Sequence, residues 1–163
     1  MPLGESALFT LGLVHWLTTA LYGGSLTAFA ALLTMRHRLS PLGPVEVMRT
    51  FRAWGAGLGL SMGALILTGL LHRFLSDGGF SWPAETPDDG LRRAKAILFL
   101  ILWVSAFHLE IWTLEPCRKL DQDGVIQDAA AYEATARRVT AQLWLNVALF
   151  WVIGALGFAA TAG

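Results

Sequence analysis

Long apolar stretches joined by short charged connections set the pattern of this chain. Residues 7–35 and 53–72 contain no Asp, Glu, Lys or Arg, and neither do residues 139–163. A further stretch, 96–114, carries one carboxylate, Glu110, near its end. Crossing the hydrocarbon of a bilayer takes about 20 apolar residues at about 1.5 Å each. All backbone N–H and C=O groups must then be satisfied without water, so only helices or closed barrels cross. The period-two alternation of barrel strands is absent. The pattern therefore predicts four transmembrane helices, approximately 7–35, 53–74, 94–114 and 138–161, in one all-α domain over residues 1–163.

The connections are short. Pro41, Gly43 and Pro44 separate the first helix from a brief amphipathic lead into the second. Asp77, Gly78 and Gly79 form a helix stop, and with Trp82, Pro83 and Pro87 they make residues 76–90 a loop. Residues 128–138 read as a polar helical extension feeding the last helix. Short connections between spans predict an up-down four-helix bundle. The first stretch is too long for the apolar region of a signal peptide and has no basic residue before it, so it is read as an uncleaved helix.

The basic residues orient these helices. Arg36, Arg38, Arg49 and Arg52 lie between the first two, and Arg118, Lys119, Arg137 and Arg138 between the last two. The opposite side carries Arg73, Arg92, Arg93 and Lys95. The heavier loops belong in the cytoplasm, which places both termini on the outer (periplasmic) side of a bacterial inner membrane. Trp54, Trp112 and Trp144 then fall near one interface, and Trp16 and Trp82 near the other.

Composition agrees with lipid as the solvent. Apolar residues make up 55% and charged residues 15%, against about a quarter charged in ordinary soluble domains. A formal net charge of zero removes a nucleic-acid partner. Cys117 is the sole cysteine, which removes a disulfide framework, and the absence of CxxCH excludes covalently attached haem. Gly55, Gly59 and Gly63 repeat every four residues, as do Ala20, Gly24 and Ala28. Such stripes are expected to be helix-contact faces, or else a flat face for a macrocycle.

Candidate chemistry rests on the histidines. His15 lies about two turns into the first helix, and His72 near the outer end of the second. They approach one leaflet from different helices, as two axial imidazoles of a haem b would. Arg73, Arg92, Arg93 and Lys95 share that level and suit haem propionates. His37 and His108 belong to the other leaflet and are the candidates for a second haem, although His37 sits in a solvated basic cluster. The alternatives are interhelical hydrogen bonds for His15 and His108, and snorkelling to the interface for His72. Tyr22 follows His15 by seven residues on the same face, where it lines the same cavity or packs in the core. Glu110 lies near the inner interface, where a carboxylate is cheap. The methionines form no paired motif, so a copper path has little support.

The run Val14-His15-Trp16 to Tyr22-Gly23-Gly24, with His37 beyond it, resembles the first helix of the CopD and HemJ group of small membrane proteins. Arg93-Ala94-Lys95-Ala96 before an apolar helix is similar to the lysine that opens their third span, with His108 in the place of a later histidine. Gln142-Leu143-Trp144-Leu145-Asn146-Val147 is loosely similar to the start of the HemJ last helix. The resemblance implies a membrane haem b protein, with His15 and Lys95 as the best matched positions. In the HemJ branch it implies oxidation of protoporphyrinogen, and in the CopD branch copper handling or periplasmic redox chemistry.

Three functions are therefore expected. The first is a b-type haem protein, an oxidoreductase component passing electrons between quinone and a periplasmic-side partner. The second is a protoporphyrinogen-oxidising enzyme with porphyrin as substrate. The third is a non-catalytic subunit of a larger membrane complex or homo-oligomer. The expected site comprises His15, His72, His108, Lys95, Arg92, Arg93 and Tyr22, with one haem b, or two, and a quinone.

Overall fold

A computed structural model describes residues 3–36, 38, 44–77, 87–109, 111, 115, 119, 121–122 and 125–162. His37, Gly78, Gly79, Trp82, Glu110, Trp112, Cys117 and Arg118 lie outside the described residues. The structure is helical: α1 (Leu3–Thr34), α2 (Pro44–Asp77), α3 (Pro87–His108) and α4 (Ala129–Ala162). Among the described residues a two-residue antiparallel pairing, Asp121–Gln122 with Val125–Ile126, precedes α4.

Local chemistry explains the ends. Pro44 and Pro87 open α2 and α3, at the helix position where a missing N–H costs nothing. Asp128 caps α4: its carboxylate accepts from Ala131 N–H at 2.9 Å and its carbonyl from Tyr132 N–H at 3.0 Å, satisfying donors that have no intrahelical partner. At the end of α1, Arg36 donates from its guanidinium to the Leu33 carbonyl at 2.7 Å. The lead before the second span and the extension before the last are continuous with their helices, so α2 and α4 begin earlier than the apolar stretches.

Ser6–Thr34, Arg49–Leu75 and Ala129–Phe158 are each long and apolar enough to cross a membrane. In α3 the first two turns hold Asp88, Asp89, Arg92, Arg93 and Lys95, which shortens its apolar run. Beyond His108 the backbone widens to a π-type turn at Leu109 and Ile111, and residues 112–114 of the expected third span lie outside the described residues.

The packing pairs are α1 with α2, α1 with α4, and α3 with α4. Each pair runs antiparallel. Phe29 of α1 meets Phe51 at the start of α2, with ring centroids 5.0 Å apart, while His15 meets Thr68 near its end. Tyr22 packs on Phe150 of α4 at 5.7 Å, and Thr34 meets Trp144. Lys95 lies beside Gly157, and Ser105 beside Asn146.

The core is a seam at alternating three- and four-residue steps. On α2 it runs through Phe51, Met62 and Leu65, and on α4 through Tyr132, Ala136, Val139, Leu143, Asn146, Phe150 and Ile153. Outside the seam stand large apolar side chains: Trp16 is 76% exposed, Leu60 76% and Phe158 76%. Exposed apolar surface on this scale suits a lipid solvent. Hydroxyls along the helices bond back to the carbonyl four residues earlier, as at Thr10, Thr18, Thr27, Ser61 and Thr140, which satisfies these O–H groups within their own helices.

The small-residue stripes are a correction. Ala20, Gly24, Ala28, Gly59 and Gly63 are exposed and Gly55 is half-buried, and a Cβ built on Gly24, Gly59 or Gly63 would meet nothing within 4 Å. The glycines that face a neighbour are Gly23, Gly69 and Gly157. Those three lie on the buried seams, whereas the four-residue repeats drift onto the outer surface.

Candidate functional site

One end of the molecule gathers the start of α1, the end of α2, the start of α3 and the end of α4. His15 projects from α1 toward α2. Its Nδ1 lies 2.9 Å from Thr68 Oγ1, and a Cβ on Gly69 would stand 3.4 Å from its Cε1. The imidazole thus stands against α2 at the distance of ordinary contact with Gly69. His72 follows one turn beyond Thr68 and is exposed. Both His72 and Lys95 lie within electrostatic range of His15.

Lys95 comes from α3 on the same inward spacing as Leu98, Phe99 and Leu102. Its ammonium reaches α4, where a Cβ on Gly157 would stand 3.0 Å from Nζ. A glycine on α4 thus faces the Lys95 ammonium, as a glycine on α2 faces the His15 ring. Arg92 is exposed and Arg93 half-buried, one turn before Lys95. Tyr22 is in the core, two turns deeper than His15, with its ring against Phe150.

His108 lies at the other end of α3. Gln142 of α4 donates from Nε2 to the Ser105 carbonyl at 2.9 Å and lies 3.1 Å from His108 Nδ1. Ser105 donates in turn to Asn146 Oδ1 at 2.5 Å. Asn146 is fully buried and its Nδ2 has no partner. His108 is thus placed in a polar tie between α3 and α4. It is not brought near His15, and its candidate partner His37 lies outside the described residues.

The structure thus brings His15, His72 and Lys95 to one end, with Arg92 and Arg93 beside them. Among the described residues no three His, Cys, Asp or Glu side chains converge on a metal-ion position, whereas a haem needs only axial donors from the chain. Thr68, Gly69 and Gly157 were missed by the sequence reading. For Thr68 and Gly69 the signal was the continuation of the α2 seam beyond Met62 and Leu65, and for Gly157 the continuation of the α4 seam beyond Phe150 and Ile153. Comparison with known protein families, with curated proteins and with solved structures finds no match for this chain.

Proposed function

We propose that this chain is a membrane b-type haem protein, a four-helix up-down bundle in a bacterial inner membrane with both termini outward, which passes electrons between quinone and a partner on the outer side. The observation that carries the reading is His15: a half-buried imidazole on an apolar helix, held through Nδ1 by Thr68 and supported by Gly69, with His72 and Lys95 close by. Ionisable side chains within membrane helices are costly and mark function.

The donor set fits the group. With Nδ1 engaged by Thr68, His15 keeps Nε2 as its ligating nitrogen, and His72 supplies a second imidazole from the next helix. A metal-ligating histidine ordinarily donates its other ring N–H to a fixed acceptor. Lys95, Arg92 and Arg93 supply cations at the same level for two propionates. The bound haem would supply one-electron chemistry. Thr68 orients the His15 ring, Gly69 and Gly157 face His15 and Lys95, and the apolar helices exclude water.

A second reading is favoured by one observation. Lys95 is turned inward onto α4 within range of His15, although an interfacial anchor would turn outward. A lysine and a histidine at one end of the bundle, within electrostatic range of each other, suit proton removal from a bound porphyrinogen.

The test is an absorption spectrum of the purified protein, oxidised and dithionite-reduced. A Soret band lost in His15→Ala and in His72→Ala supports the haem reading. A colourless protein from haem-replete cells overturns it. Rescue of a strain lacking protoporphyrinogen oxidase, abolished by Lys95→Ala, supports the second reading.

A further inference from the structure

The hydroxyl of Thr68 has three polar atoms within reach, the Leu65 carbonyl at 3.3 Å among them, and it has one proton to give. It lies 2.7 Å from the Ala64 carbonyl, one turn back on its own helix, and 2.9 Å from His15 Nδ1. A carbonyl only accepts, and the Ala64 carbonyl is the nearest of the three, so the Thr68 proton is assigned to it. The contact with His15 must then be filled from the other side, by an N–H on Nδ1.

The same arrangement recurs where its polarity is fixed by chemistry. Thr34 donates to the Ala30 carbonyl at 2.7 Å and accepts from Trp144 Nε1 at 2.8 Å. An indole nitrogen can only donate. The two threonines thus share one geometry, each bonded back along its own helix and each receiving a ring N–H from the helix opposite. Thr68 is also buried, so water is not at hand to offer its hydroxyl another donor.

His108 is held the opposite way. The Ser105 carbonyl forces the amide nitrogen of Gln142 toward it, and that same nitrogen faces His108 Nδ1 at 3.1 Å. Nδ1 of His108 therefore accepts, and the ring proton resides on Nε2. His15 and His108 carry opposite tautomers, each written by a neighbour on another helix.

We infer that Thr68 is a positioning residue. It holds neutral His15 with its proton on Nδ1 and leaves the Nε2 lone pair as the ring's one free donor atom, while Gln142 withholds that lone pair at His108. The tautomers follow from the hydrogen bonds alone. Their use in binding iron rests on the haem reading above, and it assigns His15 rather than His108 to the metal. An acceptor on Nδ1–H also raises the basicity of Nε2, as outer-shell partners of ligating histidines do.

The experiment uses the full chain, 15N-labelled at histidine, in lipid nanodiscs at a pH where the rings are neutral. Nitrogen NMR separates protonated from unprotonated ring nitrogens. Wild type and Thr68→Ser are expected to show His15 protonated at Nδ1, and Thr68→Val to show a mixture. His108 is expected to be protonated at Nε2 in all three and to lose that preference only in Gln142→Leu. His15 protonated at Nε2 in wild type, or unchanged in Thr68→Val, overturns the assignment. If Thr68→Val does not fold, the wild-type and Thr68→Ser spectra still decide it.

Hemin is then titrated into the same preparations. Thr68→Val is expected to bind it about 10- to 100-fold more weakly, with a raised midpoint potential, and Thr68→Ser to match wild type. A retained Nδ1–H tautomer with no hemin binding in wild type supports the positioning assignment and overturns the haem reading. Hemin binding equal in Thr68→Val and wild type overturns the role of Thr68 toward iron.

Discussion

Gly23 and Gly24 are neighbours in sequence with opposite surroundings, and substituting each by alanine isolates the closest helix contact in the molecule. At Gly23 an added Cβ would overlap the Phe150 ring, whose Cδ1 would lie 2.9 Å away. The ring cannot simply swing aside, because Tyr22 stands against it at 5.7 Å and Trp151 at 5.9 Å. At Gly24 nothing lies within 4 Å. Both substitutions gain the same helix propensity, about 0.8–1 kcal/mol. Only Gly23→Ala meets the overpacking cost, about 1–3 kcal/mol. The gap between the two variants is therefore about 1–3 kcal/mol, with Gly24→Ala the more stable. At about 2–4 °C per kcal/mol for a chain of this size, their midpoints in detergent should differ by about 2–12 °C, read by far-UV circular dichroism and by loss of the monodisperse peak on size exclusion. In a Phe150→Leu background the gap should close, since the offending ring atoms are gone. Equal melting of Gly23→Ala and Gly24→Ala would refute the proposed approach of α1 to α4 at this point.

Three further outcomes follow from the same contacts. Ser105→Ala should destabilise the protein more than the double variant Ser105→Ala/Asn146→Leu, because the single change leaves both polar ends of a fully buried amide unpartnered while the double change removes them; each interhelical bond is worth about 0.6 kcal/mol in lipid, and denaturant titration in mixed micelles reads the order. Glu133→Ala should cost about 2 kcal/mol, less than the full penalty of a buried pair, since Glu133 is 30% exposed but Arg36 only 7%; Arg36→Met/Glu133→Leu should recover most of it in the same titration. Gly157→Val should displace Lys95 from α4 and weaken hemin binding about tenfold, whereas Gly154→Val, with open space around it, should leave the titration curve unchanged.

The helices were legible because lipid leaves so few alternatives: charge-free stretches of this length have to be helical. Their starts were less so. The apolar count finds where a helix enters lipid, whereas Pro44 and the Asp128 cap begin α2 and α4 in water, several residues earlier. His15, His72 and Lys95 were legible as a group because depth along each helix is fixed by rise per residue. What the count of residues hid was rotation. The repeats Ala20-Gly24-Ala28 and Gly59-Gly63 stand exactly one step off the seam, because a strict four-residue spacing advances by about 40° per repeat around a helix of 3.6 residues per turn. The seam keeps its bearing only by alternating threes and fours, as Phe51 through Met62, Leu65 and Gly69 do. Thr68 escaped notice because a threonine in an apolar helix normally bonds to its own backbone. It does so here too, and the feature that matters is the ring nitrogen that bond leaves it free to accept.

The polar contacts also explain why three helix pairs suffice. In lipid, apolar side chains gain nothing by leaving the solvent, so association rests on close packing and interhelical hydrogen bonds. Each packed pair has such a tie: His15 with Thr68 for α1 and α2, Trp144 with Thr34 and Arg36 with Glu133 for α1 and α4, and Ser105 and Gln142 with Asn146 and His108 for α3 and α4. Between α2 and α3 the described residues make no comparable packing, and Leu67, Leu70 and Leu71 of α2 and Leu100 and Ile101 of α3 are exposed. Large apolar side chains left exposed in this way are costly in water and cost nothing against lipid chains.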